Sequence, residues 1–193
     1  MAAPKILVIP GSLRTGSFNA RLAALAAKEL TLLDAEVTRI SLEDFPLPIY
    51  DADDDIRGGP HGNAVRLKQL FRAHQGIFIA SPEYNGSVSP LLKNAIDWVS
   101  QVRERGDSSY AAFRGRIFAI ASVSTEFAGG QAGLSALRQI LEVGCGALVV
   151  PEQIAVPYAD QAFDDMGNLT GPGLAAAFRA ELARLVDMVR TMT

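Results

Sequence analysis

Five short runs rich in β-branched and apolar residues alternate with segments of helical spacing. They lie at 5–10, 35–40, 76–80, 116–122 and 145–150. No other feature restricts the fold so strongly. A short apolar strand followed by an amphipathic helix, repeated, specifies a parallel sheet, because parallel neighbours need a crossover long enough to hold a helix. The run at 76–80, Gly-Ile-Phe-Ile-Ala, is apolar throughout, as a central strand covered on both faces must be. The run at 35–40 alternates more weakly and reads as lying toward the sheet edge.

The helical stripes are equally direct. Ser17 precedes Leu22, Leu25, Ala26 and Leu30; Leu67, Leu70, Phe71 and His74 share a second face. Ser89 as N-cap and Pro90 at the first helical position open a helix carrying Leu92, Ile96 and Val99. Leu134, Leu137 and Leu141 mark a fourth helix, and Leu174, Phe178, Leu182, Leu185 and Val189 a last one. Right-handed crossovers in a chain of 193 residues favour the flavodoxin-like order 2-1-3-4-5. The expected fold is a three-layer α/β sandwich: a five-stranded parallel sheet in that order with helices on both faces, residues 1–193 forming one domain. Two connections are long. Residues 42–62 read as a loop whose cluster Asp51 to Asp55 is a solvated turn, since it lacks the ligand spacing of an EF-hand. Residues 151–170 read as a functional or interfacial loop.

Composition narrows the chemistry. One Cys (Cys145) cannot form an internal disulfide, and two His (His61, His74) leave little for a zinc site or a nucleophile–base pair. No metal site is expected. Eighteen Lys and Arg against 21 Asp and Glu give a net charge of −3, which argues against nucleic acid as a partner. No apolar stretch is long enough to span a membrane or to form a signal-peptide core, so the expected location is cytoplasmic. Side chains so poorly stocked for catalysis point to a borrowed reactive group.

In such a sheet, ligands bind beyond the carboxyl ends of the strands where strand order reverses, here at the loops after the first and third strands. The first loop, residues 10–19, has neither Gly-x-Gly-x-x-Gly nor Gly-Lys-Ser/Thr, so it is neither a dinucleotide nor a nucleoside-triphosphate loop. It offers hydroxyls at Ser12, Thr15 and Ser17, the amide of Asn19, one guanidinium at Arg14 and the N–H groups of a helix start. One cation and several neutral donors suit a single phosphate. The other reading is a helix cap at Ser17 beside a solvated Arg14. The second loop, Ser81-Pro-Glu-Tyr-Asn-Gly86, supplies a Tyr ring and an amide at the same edge, as a flat heteroaromatic ring needs; alone, it could be an ordinary Asn-Gly turn. A monophosphate loop beside such a wall points to flavin mononucleotide (FMN).

Several blocks of the sequence resemble the NADPH-dependent FMN reductases of flavodoxin-like fold, and among them the bacterial quinone and chromate reductases. They are Gly11-Ser-Leu-Arg-x-x-Ser-x-Asn19, Leu47-Pro-Ile-Tyr-Asp51, Pro82-Glu-Tyr-Asn-Gly-Ser-Val88 and Leu92-Lys-Asn-Ala-Ile-Asp-Trp98. Gly129-Gly130 leading to Leu137-Arg-Gln-Ile-Leu141 is a further block. The resemblance implies that Ser12, Arg14, Ser17 and Asn19 hold the phosphate and that Pro82, Glu83, Tyr84, Asn85 and Gly86 line the ring. It also implies that the loop after the fourth strand contributes Ser124 and Thr125. Where many relatives carry a Gly soon after that Ser, this chain has Thr125-Glu-Phe-Ala128, which puts acceptor choice in question.

The implied activity is ping-pong hydride transfer from NADPH or NADH through FMN to a small-molecule acceptor: a quinone, free flavin, chromate, or an azo or nitro compound. No side chain is expected to be catalytic in itself. A homodimer or homotetramer is implied, with residues 42–60 and the loop 103–114, carrying Tyr110 and Phe113, as contributors. Two other readings stand beside it: a non-catalytic flavodoxin-type electron carrier, and a hydrolase using His61, which lacks a nucleophile elbow.

Overall fold

The computed structural model describes residues 2–53 and 58–192. The chain runs β1 (Lys5–Pro10), α1 (Phe18–Leu32), β2 (Glu36–Arg39), a 3-10 turn (Leu42–Asp44), α2 (Gly62–Ala73) and β3 (Gly76–Ala80). A small hairpin, β4 (Glu83–Tyr84) and β5 (Ser87–Val88), leads into α3 (Pro90–Gln101). Then follow β6 (Ile117–Val123), α4 (Gln131–Gln139) with a π turn (Ile140–Gly144), β7 (Leu148–Val149), β8 (Ile154–Val156) and α5 (Pro172–Met192). Of the acidic cluster, Asp54 and Asp55 lie outside the described residues, while Asp51 and Asp53 are exposed.

The parallel sheet has the order β2-β1-β3-β6, with β7 and β8 both along the outer side of β6. This is the expected 2-1-3-4-5 arrangement. Alternate residues of the central strands face opposite layers. Ile6, Val8, Phe78 and Ala119 pack with Leu22 and Leu30 of α1 and Phe178, Leu182 and Leu185 of α5. Leu7, Ile9, Ile77, Ile79, Phe118 and Ile120 pack with Leu67 of α2, Leu92 and Ile96 of α3, and Leu134 and Leu137 of α4. Period-two alternation buried on both sides is why the central runs contain almost no polar residue.

The fifth strand differs from the expected run at 145–150. Cys145 closes the π turn, and only Leu148 and Val149 pair with Ile117 and Phe118. Pro151 has no N–H to donate, so the ladder breaks there. It resumes at Ile154–Val156, inside the segment expected to be loop, opposite Ala121 to Val123. Two side chains fill the break. The Arg138 guanidinium donates to the carbonyls of Val150 (2.9 Å) and Glu152 (3.2 Å) and to Gln153 Oε1 (2.9 Å). Glu181, fully buried on α5, accepts from the Ile120 N–H at 3.2 Å, a donor with no strand partner at the break. Burial pushes the Glu181 carboxyl well above the ordinary range, and Glu152 adds to the shift.

The 103–114 loop also corrects an expectation. Phe113 is no interface ring: it is fully buried, 5.4 Å from the Phe71 ring and 6.1 Å from the Phe118 ring. The loop is tied down from below by Lys68. Its side chain is only 1% exposed, and its ammonium pairs with Asp107 and lies 2.8 Å from Glu104. That hydrogen bond holds the Asp107 carboxyl below its usual range.

Candidate functional site

The loops after β1, β3 and β6 meet at one end of the sheet because each strand's ladder continues one residue past its neighbour. Gly11 N–H donates to Ala80 O (2.8 Å), Ser81 N–H to Ala121 O (2.8 Å) and Ser124 N–H to Val156 O (3.0 Å). Ser89 Oγ adds a bond to Gly11 O at 2.7 Å while accepting from Leu92 N–H, so one hydroxyl caps α3 and ties the first loop to the second. Between these loops lies a cleft lined by Ser12, Arg14, Ser17, Phe18, Asn19, Pro82, Glu83, Tyr84, Val123, Ser124 and Thr125. Nine of the eleven expected contact residues therefore converge. Asn85 and Gly86 form the adjacent hairpin tip.

The wall on the β1 side is a donor-rich helix start. Ser17 caps α1, its Oγ accepting from Ala20 N–H (3.4 Å), which leaves the Phe18 and Asn19 N–H groups outside the helical ladder. The positive end of the helix dipole points the same way. The exposed Arg14 guanidinium makes no hydrogen bond or ion pair with any described residue. A cation left unpartnered over free N–H groups is the chemistry that an incoming phosphate completes.

The opposite wall is the β4–β5 hairpin. Asn85 and Gly86 take φ of 52° and 74°, so this is a tight two-residue turn of the kind Asn-Gly favours. The turn pushes Tyr84 outward, leaving it 51% exposed at the cleft. Trp98, by contrast, is buried packing: its Nε1 donates to Pro48 O (2.7 Å) and the Tyr50 ring meets it edge-on at 5.1 Å.

Two expected contact residues are spent differently. The buried Asn19 amide donates to Val123 O (3.0 Å) and accepts from Val123 N–H (3.2 Å), clasping α1 to the end of β6. Glu83 turns its carboxylate away from the hairpin face and accepts from Gly133 N–H at 2.7 Å. It thereby caps α4, whose own N-cap, Gly130, has no side chain to offer. The approach is close: a Cβ on Gly133 would sit 3.0 Å from Glu83 Cβ, and one on Gly130 (φ 90°) would overlap Ser122 Oγ. The Gly129-Gly130 pair is thus explained by packing. Phe18 and Val123 line the cleft without having been singled out by any local signal.

Both histidines and the cysteine are structural. His74 Nδ1 contacts Leu70 O at 2.7 Å, and His61 caps α2 by accepting from Asn63 N–H at 3.2 Å, which removes it as a hydrolytic base. Burial pushes the Cys145 thiol up to about 11, leaving it inert. The described residues include no cluster of His, Cys, Asp or Glu that could hold a metal and no helix long and apolar enough to cross a membrane.

A doubly wound parallel sheet with a donor-rich helix start and an aromatic hairpin at its switch point defines a flavodoxin-like fold with a cleft where such sheets bind ligands. Comparison with known proteins is more specific. The family model of NADPH-dependent FMN reductases matches residues 4–161, and the chain belongs to that family. It is an oxidoreductase with FMN as cofactor and NAD(P)H as donor. It is 33% identical over 190 residues to an NAD(P)H-dependent FMN reductase of Pseudomonas aeruginosa, covering 97% of this chain and 96% of that one. A quinone reductase of Escherichia coli K12 is 36% identical over 138 residues, 71% of this chain and 69% of that one. A 2-hydroxy-1,4-benzoquinone reductase of a Burkholderia species is 31% identical over 169 residues, 86% of each. Among solved structures, the flavoenzyme NAD(P)H:(acceptor) oxidoreductase of Paracoccus denitrificans shares the fold. Its TM-score is 0.79 at 24% identity, over 98% of both chains.

Proposed function

We propose that the protein reduces quinones, or related acceptors such as flavin, chromate, azo or nitro compounds, by ping-pong turnover with FMN seated in the cleft. The net reaction for a quinone is NAD(P)H + H⁺ + quinone → NAD(P)⁺ + hydroquinone. FMN supplies the two-electron redox chemistry when bound; the protein supplies position and electrostatics. The observation that carries the reading is the unpartnered Arg14 beside Ser12, Ser17 and the free N–H groups of α1.

In this reading, Arg14 and the first turn of α1 neutralise the phosphate, and the Ser12 and Ser17 hydroxyls donate to it. Pro82 and Tyr84 form the wall for the ring, with the backbone of Asn85 and Gly86 at its rim. Ser124 keeps its hydroxyl proton free for the ligand, since its oxygen already accepts from Glu126 N–H at 3.2 Å. Asn19 and Glu83 act one step back, holding the two walls in place. Residues 1–193 work as one cofactor-binding domain, cytoplasmic, in a homodimer or homotetramer. A net charge of −3 and a half-exposed Tyr84 support an enzyme open to small acceptors rather than a shielded electron carrier.

The test is the absorption spectrum of the purified protein. Flavin bands that NADPH bleaches without oxygen and a quinone restores are the expected result. A colourless protein that takes up no added FMN would overturn the proposal.

A further inference from the structure

A second cavity, of about 290 Å³, opens beside the cofactor cleft between the 42–47 segment and the start of α3. Its walls are Leu13, Leu42, Phe45, Leu47, Leu91 and Ala95, with Pro46. Two polar residues also border it. Asn94 is partly committed, its Oδ1 accepting from Tyr50 N–H (2.8 Å) and one of its two Nδ2 N–H groups donating to Pro48 O (2.8 Å). Glu43 is the one charged residue of the lining, and it is negative.

The cavity is held open by its surroundings. Asn63 Nδ2 donates to Pro46 O at 2.8 Å, Trp98 Nε1 to Pro48 O at 2.7 Å, and the Arg66 guanidinium lies 4.8 Å from the centre of the Phe45 ring. Together with Asn94, these contacts pin the 45–50 segment at several points, so its apolar wall cannot collapse onto Leu91.

It is also continuous with the cleft. A shallow groove joins them, sharing Ser12, Arg14 and Tyr84 with the cleft and Leu13 and Leu91 with the cavity. The cavity lies at the low end of the roughly 300–1,000 Å³ of small-ligand pockets, and its continuity with the cleft suits it to one apolar arm of a molecule whose remainder lies in the cleft.

We infer that this cavity is the acceptor-side specificity pocket and that it takes the alkyl substituent of an uncharged, substituted quinone. The inference rests on the FMN-dependent reading above. It ranks the acceptors that reading leaves open. A lining without a cation, bordered by a carboxylate, disfavours an oxyanion such as chromate, whereas each methylene moved from water into it favours binding about fourfold.

The experiment uses the FMN-loaded enzyme at saturating NADPH and compares kcat/KM for 1,4-benzoquinone, its methyl, ethyl and butyl derivatives, and chromate. The butyl quinone should exceed the unsubstituted one by at least about tenfold, and chromate should be the poorest acceptor. Leu91→Glu places a carboxylate at the junction of groove and cavity. It sits in the first turn of α3, where an acidic residue suits the helix dipole. The butyl-to-unsubstituted ratio should fall toward one in this variant. Leu47→Ser should lower the ratio from the opposite wall, should the first variant fold poorly.

A flat ratio in a wild-type enzyme that holds FMN and is reduced by NADPH would overturn this inference alone. An enzyme that holds no FMN would overturn the underlying reading instead. If Leu91→Glu changes the oligomeric state in size-exclusion chromatography and leaves the ratio intact, a second copy covers the cavity, and the assignment is wrong.

Discussion

Replacing Glu181 by Gln should change how stability depends on pH. Glu181 is fully buried on α5, with Oε1 bound to Ile120 N–H and no partner for Oε2 among the described residues. Burial is the main reason its carboxyl titrates above the ordinary 4.5; Glu152 pushes the same way and Arg138 opposes. Between the unfolded and folded values, the folded chain therefore binds one more proton than the unfolded chain. Stability falls as pH rises across that interval, with a limiting slope of ~1.4 kcal/mol per pH unit, and is fully present below it. Gln keeps an oxygen for Ile120 N–H and never ionises. The two proteins should match within about 1 kcal/mol near pH 4.5, and the Gln variant should gain on wild type as pH rises, until the folded carboxyl itself ionises. Urea unfolding at half-unit steps from pH 4.5 to 8.5 measures this. Every other titrating group is common to both proteins and cancels in the difference. Glu181→Ala is the contrast: it strands the Ile120 N–H and empties buried volume, costing about 2–5 kcal/mol near pH 4.5, a deficit that shrinks as pH rises because Ala, like Gln, does not ionise. Parallel stability curves for wild type and Glu181→Gln would refute the raised titration of the buried carboxyl at the strand break.

Further perturbations address the cleft. Arg14→Ala should weaken FMN binding by roughly 10- to 100-fold, the worth of a charge-assisted hydrogen bond to phosphate, with little change in unfolding free energy because the Arg14 guanidinium makes no hydrogen bond or ion pair with a described residue. Fluorescence titration with FMN reads it, and unchanged affinity would place the phosphate elsewhere. Glu83→Ala should cost about 1–2 kcal/mol by uncapping α4, and should also loosen FMN because the hairpin wall loses its anchor at Gly133. Denaturation and titration of the same sample separate these effects; weaker FMN binding without lost stability would mean that Glu83 touches the cofactor directly.

Most of the architecture was legible because it follows from local pattern. Apolar runs with helical spacing between them force parallel strands and right-handed crossovers, and those leave few orders for five strands. Ser89-Pro90 and Asn85-Gly86 specify a helix start and a tight turn through their own φ preferences, and both appear where the residues stand. The cleft's position follows too, since a switch in strand order must leave a crevice at the strand ends.

What spacing could not supply is the pairing of distant groups. Asn19 and Val123 are 104 positions apart, Glu83 and Gly133 fifty, and Ile120 and Glu181 sixty-one. Each pair forms because an unpaired backbone donor at a helix start or a strand break must find an acceptor once it is buried. For that reason the side chains of Asn19 and Glu83, which read as ligand contacts in the linear motif, also brace the walls of the cleft in the folded protein. Phe113, expected at a subunit boundary, and Lys68, which no pattern along the chain singled out, are buried for a related reason: only the folded layers decide which ring and which ammonium fill the space beneath the 103–114 loop. The sequence alone determined the order of the sheet and the end at which a ligand binds; the tertiary structure decided which side chains remain free to meet it.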